Sequence, residues 1–455
     1  MALVSINPAT GKLIRRYREL SVRNQAAAAE RAHKAFLDWR RVSFARRARV
    51  LRAAAAILRR NLNAHAKLMT SEMGKPLAQA RAEVEKSALG CDYYAKHASA
   101  LLAEEHPTGS PRNSFVTFQP IGVVLAVMPW NFPYWQVFRA AAPAIMAGNT
   151  VLLKHASSVC GCALAIESVF SKAGLPAGVF QTLLVSSGRV PALITNPRVQ
   201  AVTLTGSGAA GRQTAALAGG ALKKCVLELG GSDPYVILAD ADLDLAAEVC
   251  ASTRLINSGQ SCIAAKRFIV VDKVRAEFER RFTARMAARK VGPPMKSGCD
   301  VGPLARADLR EELHIQVRKS LRGGARLLLG GHPLPGPGWF YEPTVLTDVR
   351  PGIPAYDEEL FGPVAAIIPV RDKAEAIAVA NDSPFGLGAA VFTRNRRRGR
   401  EIAAKELEAG VACVNTFVRS DPSLPFGGVK QSGFGRELGS FGIREFVNIK
   451  TVLMA

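Results

Sequence analysis

Long apolar runs are missing from this chain. The longest, IGVVLAVM at 121–128, stops at Pro129. That is well short of the roughly 18 residues that cross a bilayer, so no membrane association is expected. The amino-terminal MALVSINPATGK lacks a basic segment followed by an apolar one, which points away from a secretory signal and toward the cytoplasm. Cysteine is sparse and irregularly placed: there are eight in 455 residues, and Cys160-x-Cys162 has no second Cys or His pair at zinc spacing. A disulfide framework and a metal site are therefore not expected. Internal repeats, low-complexity tracts, heptads and RNP-like aromatic patterns are absent as well. Acidic residues are the scarce charge, 37 against 60 Lys and Arg, for a net +23. Its densest runs, RNRRRGR (394–400) and ARRARVLRAAAAILRRNL (45–62), read as basic faces of amphipathic helices. No nucleic-acid partner is expected from them.

What is present is ordinary enzyme-scale composition, 48% apolar and 21% charged, in a chain long enough for two or three packed units. The first hundred residues look mainly helical, up to the break HPTGSPRN (106–113). SFVTFQP and IGVVLAVMP then read as strands. TVLLKHA and AVTLTGS follow as short apolar strands, alternating with the helical patterns CALAIESVFSKAG and AGRQTAALAGGAL. That rhythm predicts βαβ units and a parallel sheet. A second α/β region runs from KKCVLELGGSDPYVIL to about residue 415, with strands KRFIVV, PTVLTDV and PVAAIIPV. The terminal EFVNIKTVLM is strand-like without a nearby partner, which suggests pairing with another sheet, a neighbouring subunit's included.

Four local patterns carry chemistry. Gly206-x-Gly208-x-x-Gly211 follows the strand VTL and opens a helix, and Glu228 lies about twenty residues on; this matches a dinucleotide fingerprint in which the acid holds a ribose. In NSGQSCIAAK (257–266), small residues lead to Cys262, a nucleophile if its thiol is activated and a plain buried cysteine otherwise. In MPWNFPYWQVFR (128–139), prolines on both sides of Trp130-Asn131-Phe132 fix Asn131, whose amide can serve an oxyanion or merely its own loop. In CVLELGGSDPYVI (225–237), Glu228 sits between leucines. Desolvation there raises a carboxylate toward a useful base, unless Lys223 or Lys224 pairs with it.

Taken together and in order, these segments resemble the aldehyde dehydrogenase superfamily over essentially the whole chain. The motifs run from NPATGK (7–12) through MPWNFP, VLLKHAS (151–157), LTGSGAAG, LELGGSDP, GQSC (259–262) and EELFGPV (358–364) to PFGGVKQSGFGRE (425–437). The resemblance implies an aldehyde dehydrogenase-like α/β fold with a Rossmann-type cofactor domain (1–107 and 121–229), an α/β catalytic domain (230–428) and oligomerisation strands (108–120 and 440–455). It implies that Cys262 attacks the aldehyde, that Asn131 and the Cys262 N–H hold the oxyanion, and that Glu228 activates the water that releases the acid. A CoA-dependent relative needs no such carboxylate, so Glu228 favours hydrolysis.

For the cofactor, the resemblance places Lys154 on the adenosine ribose, Gly206 and Ser207 near the pyrophosphate, Glu359 on the nicotinamide ribose, and Trp130 and Phe361 beside them. Gly208 falls where the family does not reserve a glycine. Ser157 stands where NAD-preferring members carry an acid, so NADP is expected ahead of NAD. The details WNFPYWQVFRA, NSGQSCIAAKRFIV and FGGVKQSGFGRE resemble members acting on succinate semialdehyde. By that resemblance Arg139 binds the distal carboxylate, Ser420 completes the contact and Trp135 walls the channel. Ile263, Ala264 and Ala265 exclude a regulatory disulfide with Cys262. Ile256 replaces a second substrate arginine found in some members, with Arg254 close by, so glutarate semialdehyde or another small aldehyde is the alternative substrate. A homodimer or homotetramer is expected. A non-catalytic scaffold or nucleic-acid binder using the +23 charge is the contrasting possibility; it expects the chemical residues to have decayed, yet Cys262, Glu228, Asn131 and Lys154 are all present.

Overall fold

The computed structural model describes residues 2–111 and 113–454. Met1, Arg112 and Ala455, the last two inside the segments expected to mediate assembly, lie outside the described residues. The helical expectation for the amino-terminal hundred residues needs one correction. An antiparallel hairpin, Ala2–Ile6 with Leu13–Arg18, precedes the helices Val22–Trp39, Phe44–Arg60, Leu62–Met73 and Leu77–Leu101. Its second strand, LIRRYR, is mostly exposed and arginine-rich, so no apolar alternation announces it.

Among the described residues, two larger sheets follow. The six-stranded sheet runs Gly433–Phe434, Lys224–Glu228, Val199–Thr205, Val123–Met128, Thr150–His155, Phe180–Thr182, parallel except for its first edge. Of its central strands, Val123–Met128 is a continuous apolar run and Val199–Thr205 is buried at every position but Gln200, as suits a sheet covered on both faces. The seven-stranded sheet collects residues 233–414 with Asp233–Ile237 and Ala265–Val271 near its centre, and only the edge Arg326–Leu329 is antiparallel. Both larger sheets are packed in apolar cores. No described helix is long and apolar enough to cross a membrane.

In the first sheet, strand Val123–Met128 lies centrally. The chain then moves to one side (150–155, 180–182) before returning to the other (199–205, 224–228). The order therefore reverses between Val123–Met128 and Val199–Thr205. Parallel sheets leave a crevice at the carboxyl ends of strands at such a point, and Pro129–Asn131 and Gly206–Ser207 emerge into it.

The terminal strand Val447–Leu453, expected to add to another sheet for want of a nearby partner, finds its partner far away in the sequence. It pairs antiparallel with Ser114–Pro120 of its own chain, seven residues in register. The two strands are more than three hundred residues apart in sequence, which hides the pairing from any local pattern.

Candidate active site

A cleft of about 530 Å³ opens at the switch point, lined by Trp130, Asn131, Gln136, Thr205, Gly206, Ser207, Gly230, Cys262, Glu359 and Phe361 among others. Each wall has a local cause. Ser207 caps helix Gly208–Gly220, its hydroxyl accepting from Ala210 N at 3.4 Å, and the Gly206 N–H donates to the Glu228 carbonyl at 3.0 Å. A Cβ on Gly211 would fall 2.5 Å from Leu229 Cδ1, so this glycine lets the helix sit against its strand. A Cβ on Gly208 would meet only the tip of Arg212 at 3.6 Å. The middle glycine of the fingerprint therefore has no steric duty.

The loop before Cys262 is held in an unusual conformation. Asn257, Ser258 and Gly259 take positive φ in succession (56°, 57° and 77°), and a Cβ on Gly259 would lie 2.2 Å from the Gly362 carbonyl oxygen. Asn257 Nδ2 donates to the Asn131 carbonyl at 2.8 Å and to that of Gln260 at 2.9 Å. Asn131 Nδ2 donates to Gln260 O at 3.1 Å, and its Oδ1 accepts from Gln136 Nε2 at 3.1 Å. Both segments are thus tied together. Lys266 Nζ adds a further tie, donating to the Ser261 and Cys262 carbonyls at 2.9 Å each while standing 3.4 Å from Glu359. Glu359 also accepts from Gly231 N at 3.1 Å. Phe361 meets Trp130 edge-on, with ring centroids 5.8 Å apart.

Burial pushes the Cys262 thiol up to about 12; Arg139 and Lys266 pull it down, and Glu359 and Glu228 add to the rise. In this state the sulfur rests protonated. Glu228 ends strand Lys224–Glu228, is 2% exposed, and no described donor hydrogen-bonds either carboxylate oxygen. Burial holds its carboxyl well above the ordinary range, with Arg139 and Arg436 opposing and Glu437 reinforcing. Pairing with the nearest lysines does not occur. Lys223 donates to the Ile194 and Asn196 carbonyls, and Lys224 stands 3.7 Å from Glu445.

Lys154, at the end of strand Thr150–His155, is buried and has no ion-pair partner among the described residues; desolvation lowers its pKa. Ser157 is exposed at the start of the next short turn. The capped helix end, the unpaired lysine and the exposed hydroxyl fit a dinucleotide bearing phosphate groups.

Arg139 departs from expectation. It lies on helix Trp135–Ala147, 4% exposed, its guanidinium in an ion pair with Glu437 and 3.3 Å from Thr205 Oγ1, with Phe426 stacked 5.0 Å away. Here its charge is taken by a protein carboxylate and is not free for one from a ligand. Arg254 is fully buried and donates through one nitrogen to the Gly259 carbonyl, while Nε and Nη1 find no acceptor among the described residues. Ser420 and Trp135 do come together, Trp135 Nε1 donating to Ser420 Oγ at 2.9 Å, and Lys86 joins them. Sequence reading missed Lys86, Lys266, Asn257 and Glu437. Lys266 and Asn257 stood inside the quoted NSGQSCIAAK and Glu437 ended PFGGVKQSGFGRE, whereas Lys86 carried no local signal. The position of helix Trp135–Ala147 depends on another missed residue. Buried Glu83 accepts from Tyr134 N (2.9 Å) and Trp135 N (3.1 Å) while paired to buried Lys75.

Known proteins align with this architecture throughout. Residues 2–452 match the model of the Aldehyde dehydrogenase family. A probable succinate-semialdehyde dehydrogenase [NADP(+)] from Synechocystis sp. is 51% identical over 455 residues, covering all of both chains. A succinate semialdehyde dehydrogenase [NAD(P)+] from Escherichia coli K12 is 49% identical over 99% of this chain and 97% of its own. Among solved structures, succinic semialdehyde dehydrogenase from Streptococcus pyogenes in complex with NADP+ superposes with TM-score 0.97 at 38% identity, each chain fully covered.

Proposed function

The chain belongs to the aldehyde dehydrogenase family, and from that premise we propose that it oxidises succinate semialdehyde to succinate, with NADP ahead of NAD. The observation that carries the chemistry is that Asn131 and Cys262, from two separate segments, line one cleft, with buried Glu228 from a third close enough to Cys262 to act on its thiol. The Cys262 thiol gives its proton to water, and the thiolate attacks the aldehyde carbon; a C–S bond forms as the C=O π bond breaks, placing charge on oxygen, which the Asn131 amide and the Cys262 N–H stabilise. A nicotinamide held in the cleft would supply the acceptor for the hydride that this carbon gives up. Glu228 then takes a proton from water, whose oxygen attacks the thioester; the C–S bond breaks, the thiolate leaves and the acid is freed. Lys154, Ser157, Gly206, Ser207, Glu359, Trp130 and Phe361 are the residues that would hold the dinucleotide.

The substrate assignment is supported by relatives that share about half of their residues with this chain over its full length. The Arg139–Glu437 pair favours one alternative, the same chemistry on a neutral or longer small aldehyde. NADPH and NADH formation with succinate semialdehyde, glutarate semialdehyde and butanal tests both. The C4 semialdehyde with NADP is expected to give the highest kcat/KM, and Ser157→Glu to lower the NADP/NAD ratio by about tenfold through charge repulsion. Equal efficiency on butanal would remove the substrate assignment, and an unchanged ratio would remove the role of Ser157. The reading includes a cytoplasmic homo-oligomer assembled through the strand pair 114–120 and 447–453.

A further inference from the structure

Resting on that reading, we infer that Lys86, together with the Ser420 hydroxyl, binds the distal carboxylate of the substrate and so sets specificity for an anionic aldehyde. Lys86 lies on helix Leu77–Leu101, and its ammonium reaches across to a segment more than three hundred residues later. Lys86 Nζ donates to Ser420 Oγ at 2.8 Å and stands 4.6 Å above the Trp135 ring. Trp135 is four residues beyond Asn131, and a Cβ on Gly90 would lie 3.1 Å from its Cζ3, so the absence of a side chain there lets the indole settle against this helix.

Among the described residues no carboxylate lies within ion-pairing distance of Lys86. The charged groups facing it are Arg139 on the Trp135 helix, Glu83 one turn away, and Arg419 and Asp421 flanking Ser420. Lys86 is part-buried; a cation partly withdrawn from water without an acid partner is costly, and an anion delivered to it offsets that cost. Ser420 Oγ accepts from both Lys86 and Trp135. Its own proton is therefore available, and among the described residues no acceptor takes it. Lys86 has further N–H groups to give. A carboxylate placed here accepts from both, while Arg139 is already occupied by Glu437. Burial lowers the Lys86 ammonium to about 8, so its positive charge fades as the medium becomes alkaline.

Lys86→Gln and Lys86→Arg test the inference on two readouts, the KM for succinate semialdehyde and inhibition of butanal oxidation by succinate. Loss of one charge-assisted contact is expected to raise KM about tenfold or more in Lys86→Gln, to weaken succinate inhibition by a similar factor, and to move kcat far less. Lys86→Arg retains most of the binding. In the unsubstituted enzyme KM rises between about pH 7 and about pH 9, and in Lys86→Arg, whose guanidinium keeps its charge, it does not. Unchanged KM and inhibition in Lys86→Gln, or equal losses on both aldehydes, would overturn the inference. Should the unsubstituted enzyme prefer butanal, the substrate reading falls by itself, and succinate inhibition of each variant still decides the role of Lys86.

Discussion

Glu228 has two carboxylate oxygens that no described donor reaches, in a pocket where Glu437 repels its charge and Arg139 and Arg436 attract it. Its raised pKa favours the protonated form, and the group acts as a base only once it has shed that proton. Hydrolysis of the acyl-enzyme is therefore expected to accelerate with rising pH through a value well above the usual carboxylate range. Glu228→Gln should flatten that limb and slow steady-state turnover by about 10²- to 10⁴-fold. A limb that persisted in the variant would assign it to another group. The same shift has a consequence for stability: the folded state holds a proton that the unfolded chain releases. Its contribution is present in acid and is lost as pH climbs from the ordinary glutamate range through the folded value. Cys262 and Asn131 were readable at this scale because their neighbours, GQSC and PWNFP, are contiguous. The partners that tune them were not. Arg139 looked free in WNFPYWQVFR because Glu437, which neutralises it, lies almost three hundred residues downstream.

At the scale of elements, the strand pair Ser114–Pro120 and Val447–Leu453 leaves Ile449 60% and Leu453 71% exposed, and the adjacent helix Gly439–Arg444 leaves Phe441 64% exposed. Apolar side chains along an exposed two-stranded ribbon suit burial against a second copy. Ile449→Lys is expected to shift the sedimentation profile toward monomer; an unaltered profile would place the subunit interface elsewhere. The parallel strands of both sheets were legible because continuous Val, Ile and Leu runs admit few other readings. The amino-terminal hairpin was not, since Leu13–Arg18 is exposed and arginine-rich. Nor was the Glu83 cap on helix Trp135–Ala147, because a buried glutamate inside a helical pattern resembles a solvent-facing one.

Across the whole molecule, the reversal of strand order in the first sheet creates the crevice, and the second sheet brings Cys262 to it from the loop before Ala265–Val271. The dinucleotide fingerprint identified that crevice but assigned Glu228 to a ribose. The fold instead leaves Glu228 near Cys262, puts Lys154, which has no ion-pair partner among the described residues, at the end of strand Thr150–His155, and lines the cleft with Glu359. The +23 charge gained no site of its own: RNRRRGR ends in a short helix where Arg397 and Arg398 pair with Glu401 and Asp240. The central claim is that Cys262 carries the acyl group of a C4 semialdehyde until Glu228 releases it. Mass spectrometry of Glu228→Gln, quenched after mixing with succinate semialdehyde and NADP, tests it most directly. A succinyl thioester on Cys262 is the expected result; an unmodified Cys262 alongside NADPH formation would contradict it.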